Sequence, residues 1–211
     1  MLTRGCRQMR GFTLLEVLIA LLITAFGLLG LAGLMSKMQL AETEGYQRSQ
    51  AMILVTDMVE RINAAMPRGP ADSLSTYQAS DYDTGTTTPR GTGYGGSGLS
   101  DCTTVTATPA HDLCEWSNAL KGAAESSSGG SQVGAMVGAR GCVELLVAAN
   151  NAGCKAPTYR VSVTWQGLFP SAAPNANLAC GKTGTPYGSD DRYRRIIAQK
   201  VTVGLPSCII P

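Results

Sequence analysis

Glu16 is the residue whose setting most constrains its chemistry. It stands near the start of an apolar block, and the 20 residues after it, Val17 to Ser36, carry no charge. An ionisable group at the edge of such a block is costly unless a partner neutralises it, which makes it a functional candidate by default. The second set of reactive groups is the cysteines. Cys6 lies near the start, and Cys102, Cys114, Cys142, Cys154, Cys180 and Cys208 all follow residue 100. No CxxC pair occurs and His111 is the only histidine, so zinc ligation fits poorly. Six thiols in an oxidising compartment fit disulfides better, with their connectivity open.

The remaining constellations point away from catalysis. Gly181-Lys182-Thr183 has the ending of a phosphate-binding loop, but Ala176 stands where the earlier glycine belongs. A Ser-His-Asp hydrolase would have to use His111, and no nucleophile-elbow motif surrounds any serine. Asp81, Asp83 and Asp101 do not fall in a calcium-loop pattern. Asp190-Asp191-Arg192-Tyr193-Arg194-Arg195 reads as a solvated turn before a strand, with a subunit contact as the functional alternative. No metal, cofactor or enzymatic activity is expected.

The element that positions Glu16 is a helix. At about 1.5 Å rise per residue, 20 uncharged residues span the roughly 30 Å hydrocarbon core of a bilayer. Arg4, Arg7 and Arg10 precede this block, and the positive-inside rule keeps them cytoplasmic. Gly11 comes before the apolar stretch, unlike the small residue of an ordinary secretory signal, which follows it. The order of basic leader, Gly11-Phe12-Thr13-Leu14-Leu15-Glu16 and apolar helix resembles the class III signal of type IV prepilins and related pseudopilins.

The resemblance implies specific roles. Prepilin peptidase would cut between Gly11 and Phe12, and the new Phe12 amine would be N-methylated. Gly11 lacks a Cβ and leaves the protease room to approach. Glu16 of an incoming subunit would neutralise a neighbour's N-terminal amine, two charges each expensive in hydrocarbon and cheaper together. Before assembly the subunit would sit in inner-membrane lipid with its head periplasmic; afterwards it would be extracellular in the pilus. Its partners would be the major pilin, other minor pilins, the inner-membrane assembly platform and a tip adhesin.

The rest of the composition agrees with that compartment. The formal charge is +2, from 17 Lys and Arg against 15 Asp and Glu, and loss of the three leader arginines would leave 14 against 15. A near-neutral head lacks the basic footprint that strong nucleic-acid binding needs. The predicted organisation is a leader over 1–11, a membrane or filament-core helix over 12–36, its amphipathic continuation over 37–66 and a disulfide-braced head over 67–211.

Periodicity supplies the fold. Ala51, Met52, Val55, Met58, Val59, Ile62 and Met66 recur at three- and four-residue steps, and no proline interrupts Phe12 to Met66. One helix of about 55 residues is predicted, stopped by Pro67, Gly69 and Pro70. A loop-rich stretch over 67–110 follows, with one short strand near Cys102 to Ala107. His111 to Leu120 is predicted as a second helix with Leu113, Trp116 and Leu120 on one face, capped by Asp112. Three strand segments follow, at Gly141–Val147, Thr158–Trp165 and Arg195–Val203; Tyr159, Val161, Val163 and Trp165 share a face. The fold class is α+β, a long N-terminal helix packed on an antiparallel sheet, and it is similar to the type IV pilin fold. The Asp-Leu-x-x-Trp-x-x-x-Leu helix and the strand ending in Trp165-Gln166-Gly167 are similar to segments of PilV-type minor pilins. That resemblance implies a role in starting pilus assembly and in the tip complex. A minor pseudopilin of a type II secretion system, and an adhesin or DNA-uptake minor pilin, share the leader and remain alternatives.

Overall fold

The computed structural model describes residues 11–64, 101–105, 108–123, 136–150, 153–182, 187–188 and 190–204. Outside them lie the leader arginines, Pro67 to Pro70, the Gly-rich run at 91–98, Asp81, Asp83, Thr183 and Cys208.

Helix α1 runs from Leu14 to Ala64, 51 residues without a break. The chain forms two compact units, Met1–Thr43 and Glu44–Pro211. In the first unit α1 turns large apolar side chains outward on every side: Leu14, Leu18, Leu22, Phe26, Leu29 and Met35 are all exposed. A helix apolar all round suits lipid or other helices better than water. Its length and composition are sufficient to cross a membrane.

In the second unit the same helix becomes one-sided. Gln47, Ala51, Val55, Met58, Val59 and Ile62 are buried. Met52, expected in that stripe, is exposed, because one residue step turns about 100° around the axis and carries it off the 51–55–58–62 face. Gln47 takes a stripe position that apolar periodicity did not assign.

The stripe packs on a three-stranded antiparallel sheet. Strands β1 (Arg140–Val147), β2 (Thr158–Gln166) and β3 (Arg194–Thr202) form a meander in chain order. Val143 faces Val161, Gly141 faces Val163 and Tyr159 faces Val201 across the ladders. This sets Val143, Tyr159, Val161, Val163, Trp165 and Val201 on the core side with the α1 stripe.

Helix α2 (Thr108–Leu120) closes the core beside β1. Trp116 and Leu120 are fully buried, and the Trp116 indole N–H donates to the Leu54 carbonyl of α1 at 2.8 Å. A Cβ at Gly141 would overlap the Trp116 ring, so glycine is what lets the indole lie against β1. Over the described residues 101–105 the strand expected at Cys102 to Ala107 is instead a turn, with the Val105 N–H donating to the Cys102 carbonyl at 3.1 Å; residues 106–107 lie outside the described residues.

Alternation on β2 predicts one buried face, yet Val161 to Trp165 are all buried. Described residues of the connection between β2 and β3 lie over the outer face: Cys180 Sγ reaches the Ser162 carbonyl and the Tyr187 hydroxyl reaches Thr164. Cys142 and Cys180 are joined by a disulfide that pins this connection to β1. Tyr187 donates its hydroxyl to the Gly138 carbonyl at 2.8 Å and lies 2.7 Å from the Thr164 hydroxyl. With the Tyr187 proton so engaged, Thr164 is the donor of that second bond. Gly181 has φ +70, and a Cβ there would come within 2.6 Å of Thr164 Oγ1, so both conformation and space require glycine.

Candidate functional site

The N-terminal site is built by the first turn of α1. Gly11, Phe12 and Thr13 precede the helix, and Phe12 and Leu14 are 82% and 91% exposed. The Glu16 N–H donates to the Thr13 carbonyl at 3.1 Å and to the Thr13 hydroxyl at 3.3 Å, and the Val17 N–H reaches the same carbonyl at 3.3 Å. Thr13 is thus the N-cap: its carbonyl accepts the first helical bond, from Val17, and its hydroxyl accepts from the Glu16 amide. Thr13-x-x-Glu16 is the spacing of a capping box, a signal that sequence reading of the motif passed over. Glu16 sits in the first turn, where the aligned peptide dipoles favour a negative charge. Among the described residues its carboxylate makes no ion pair. Among the described residues, nothing lies within 4 Å of where a Cβ at Gly11 would stand.

The cysteines are placed as follows. Cys102 and Cys114 are disulfide-bonded, as are Cys142 and Cys180. Cys154 is also disulfide-bonded. Cys208 lies outside the described residues.

His111, Asp112 and Glu115 offer ligand atoms within 4.8 Å of one another. A cation from the protein already occupies their carboxylates. Arg61 Nη1 donates to Asp112 Oδ1 at 3.1 Å and to Glu115 Oε2 at 2.6 Å, while its Nε reaches Asp57 at 3.1 Å. Burial opposes the Arg61 charge, but Glu115, Asp57 and Asp112 outweigh it and hold the guanidinium's proton more tightly than in a free arginine. The Arg61 hydrogen bond in turn lowers the Glu115 carboxyl below its usual range, against a small opposing effect of burial. Asp112, expected to cap α2, sits inside it and ties α2 to α1; the helix begins four residues earlier, at Thr108. Asp101 is committed to its own turn, accepting from the Thr103 N–H at 3.0 Å and hydroxyl at 2.6 Å.

The charge cluster at 190–195 is not a solvated turn throughout. It forms a 3-10 turn, Asp191–Tyr193, capped by the Asp190 side chain. The Arg194 side chain is fully buried, donating to Asp191 at 2.6 and 2.8 Å and to the carbonyls of Leu178 and Cys180 at 2.8 and 3.0 Å. Arg195 Nε donates to Glu44 of α1 at 2.8 Å.

A helix long and apolar enough to cross a membrane, with one acid in its first turn, continues into a disulfide-braced α+β head, an arrangement consistent with the type IV pilin fold. The model of the prokaryotic N-terminal methylation motif matches residues 6–32, which spans the leader end, Gly11, Phe12, Glu16 and the start of the apolar helix. No curated protein and no solved structure matches the chain. The motif and the fold together support a type IV pilin or pseudopilin-like protein. Such a signal implies processing by prepilin peptidase and assembly with other pilins, and the motif family is structural rather than enzymatic.

Proposed function

We propose that the chain is a minor pilin of the PilV kind, acting without catalysis in the initiation of pilus assembly and in the tip complex. The observation that carries the reading is the methylation-type signal over 6–32 running into an uncharged helix with Glu16 in its first turn. The apolar half of α1 holds the subunit in inner-membrane lipid. Cleavage after Gly11 exposes the Phe12 amine, and Glu16 then pairs with the amine of a neighbour, so that two costly charges enter the filament core together. The minor role is supported by the large head and by six cysteines after residue 100, more than a simple filament repeat needs.

The test is the mass and N-terminal sequence of the protein in sheared fibres. A chain beginning at N-methylated Phe12, at low abundance relative to the main subunit, is expected. A chain that keeps Met1 to Gly11, or that never co-purifies with fibres or their assembly machinery, refutes the proposal. Deletion that stops secretion of folded exoproteins while fibres persist would favour the pseudopilin reading instead.

A further inference from the structure

Two disulfides have both ends among the described residues, and their surroundings differ. Cys142 and Cys180 are buried, 3% and 5% exposed, and the Ser162 carbonyl oxygen lies 3.9 Å from Cys180 Sγ. A thiolate released at Cys180 would face that oxygen away from water, which disfavours it. Cys102 and Cys114 are only half-buried and join the turn at 101–105 to the middle of α2. Asn118 stands one helical turn beyond Cys114, and its side-chain Nδ2 donates to Cys102 Sγ at 3.3 Å. A donor is thus aimed at one sulfur of this pair, and its bond strengthens as that sulfur gains negative charge. The seat of α2 does not depend on the disulfide. Arg61 of α1 holds Asp112 and Glu115, the Trp116 indole bonds the Leu54 carbonyl, and Leu120 is buried in the core.

We infer that Cys102–Cys114 is a thiol–disulfide exchange site for a dithiol protein, entered at Cys114 Sγ with Cys102 as the leaving group. The attacking thiol first gives its proton to solvent. Its sulfur then bonds to Cys114 Sγ as the bond to Cys102 breaks, and the electron pair of that bond stays on Cys102 as a thiolate. The Asn118 amide holds this thiolate until it takes a proton from water. The partner's second thiol, also deprotonated, attacks the partner's own sulfur in the mixed disulfide and expels Cys114 as a thiolate, which is protonated in turn. Both cysteines end reduced, and the partner, having supplied two electrons, ends as a disulfide. A donor at the leaving sulfur lowers its pKa and speeds its departure. The neighbouring Asp101 opposes negative charge at Cys102, but its carboxylate is engaged by the Thr103 N–H and hydroxyl. The exchange frees the turn at 101–105 from α2 and leaves the contacts of α2 with α1 in place.

The probe is dithiothreitol, a small dithiol, acting on the oxidised full chain in detergent micelles without denaturant. Thiols are alkylated at intervals and located by peptide mass mapping. Cys102 and Cys114 are expected to take label at least about tenfold sooner than Cys142 and Cys180. Glutathione, a monothiol, is expected to leave its adduct on Cys114 when Cys102 is trapped by alkylation. Asn118→Ala is expected to slow the opening about three- to tenfold, the worth of one hydrogen bond to a developing charge, and to spread the adduct over both sulfurs. Asn118→Asp, which sets a carboxylate against the leaving sulfur, should slow it further. Cys142 and Cys180 that stay unlabelled in each variant show that the fold has held. Equal labelling of the two disulfides, earlier labelling of Cys142 and Cys180, or an adduct mainly on Cys102 overturns the inference. An Asn118→Ala chain that opens at the wild-type rate and at the same sulfur overturns the role given to Asn118.

Discussion

The indole N–H of Trp116 donates to the Leu54 carbonyl at 2.8 Å across 62 residues of sequence. A carbonyl within a long helix normally serves only its own helix, and here one also accepts from α2. Trp116→Phe keeps most of the ring volume but removes the donor, with an expected loss of about 1 kcal/mol. Trp116→Ala opens a cavity in the core, with an expected loss of about 3–5 kcal/mol. Thermal or denaturant unfolding of the oxidised protein measures both, and equal losses from the two variants would contradict this account. Gly141→Ala, which drives a methyl group into the same ring, is expected to cost about 1–3 kcal/mol by overpacking.

Arg194 and Asp191 predict an acid-side instability. Hydrogen bonds from Arg194 hold the Asp191 carboxyl below its usual range, outweighing the opposing effect of partial burial. Because the folded pKa is lower than the unfolded value of about 3.9, the contribution is complete above that value and is lost as pH falls through the folded pKa. Asp191→Asn should therefore flatten the acid limb of a stability–pH curve below about pH 4. At neutral pH it should also cost roughly 2 kcal/mol, reduced from a fully buried pair because Asp191 retains 29% exposure. An unchanged acid limb would show that other carboxylates govern it.

The disulfides give a mapping prediction. With Cys102–Cys114 and Cys142–Cys180 closed and Cys154 oxidised, a processed chain retains Cys208 as the remaining cysteine. Non-reducing peptide mapping of the mature protein is expected to recover Cys154 linked to Cys208; a free Cys208 thiol would refute it. Chain entropy assigns about 4 kcal/mol to the 38-residue closure of Cys142–Cys180 and about 3 kcal/mol to the 12-residue closure of Cys102–Cys114. Cys142→Ala paired with Cys180→Ala should accordingly lower Tm more than the corresponding double change at Cys102 and Cys114.

Processing and assembly separate at the N-terminus. Gly11→Leu is expected to block cleavage, visible as a precursor-sized band that persists on a gel. Glu16→Ala is expected to leave cleavage intact while incorporation into fibres falls. Normal incorporation of the Glu16→Ala protein would remove the charge-pair account.

How much was legible depended on the range of the interaction concerned. The uncharged run from Val17 to Ser36, the acid before it and the period-two pattern of Tyr159, Val161, Val163 and Trp165 are local features. Helix and strand follow from them because side-chain direction repeats with the backbone. So α1, β2 and the α+β class could be read directly, with ends shifted by a few residues. Sequence spacing also showed that the cysteines suited disulfides, but their partners depend on which Cα atoms the fold brings near one another. Asp112 looked like a cap because its neighbours along the chain suggested one; its partner, Arg61, is 51 positions away. Arg194 looked solvated because its own segment is polar, and only the return of Leu178 and Cys180 across the sheet buries it. Charge and hydropathy along a chain state what each residue can bond. Which bond it makes is set by packing, since a buried donor must find its acceptor wherever the fold places one.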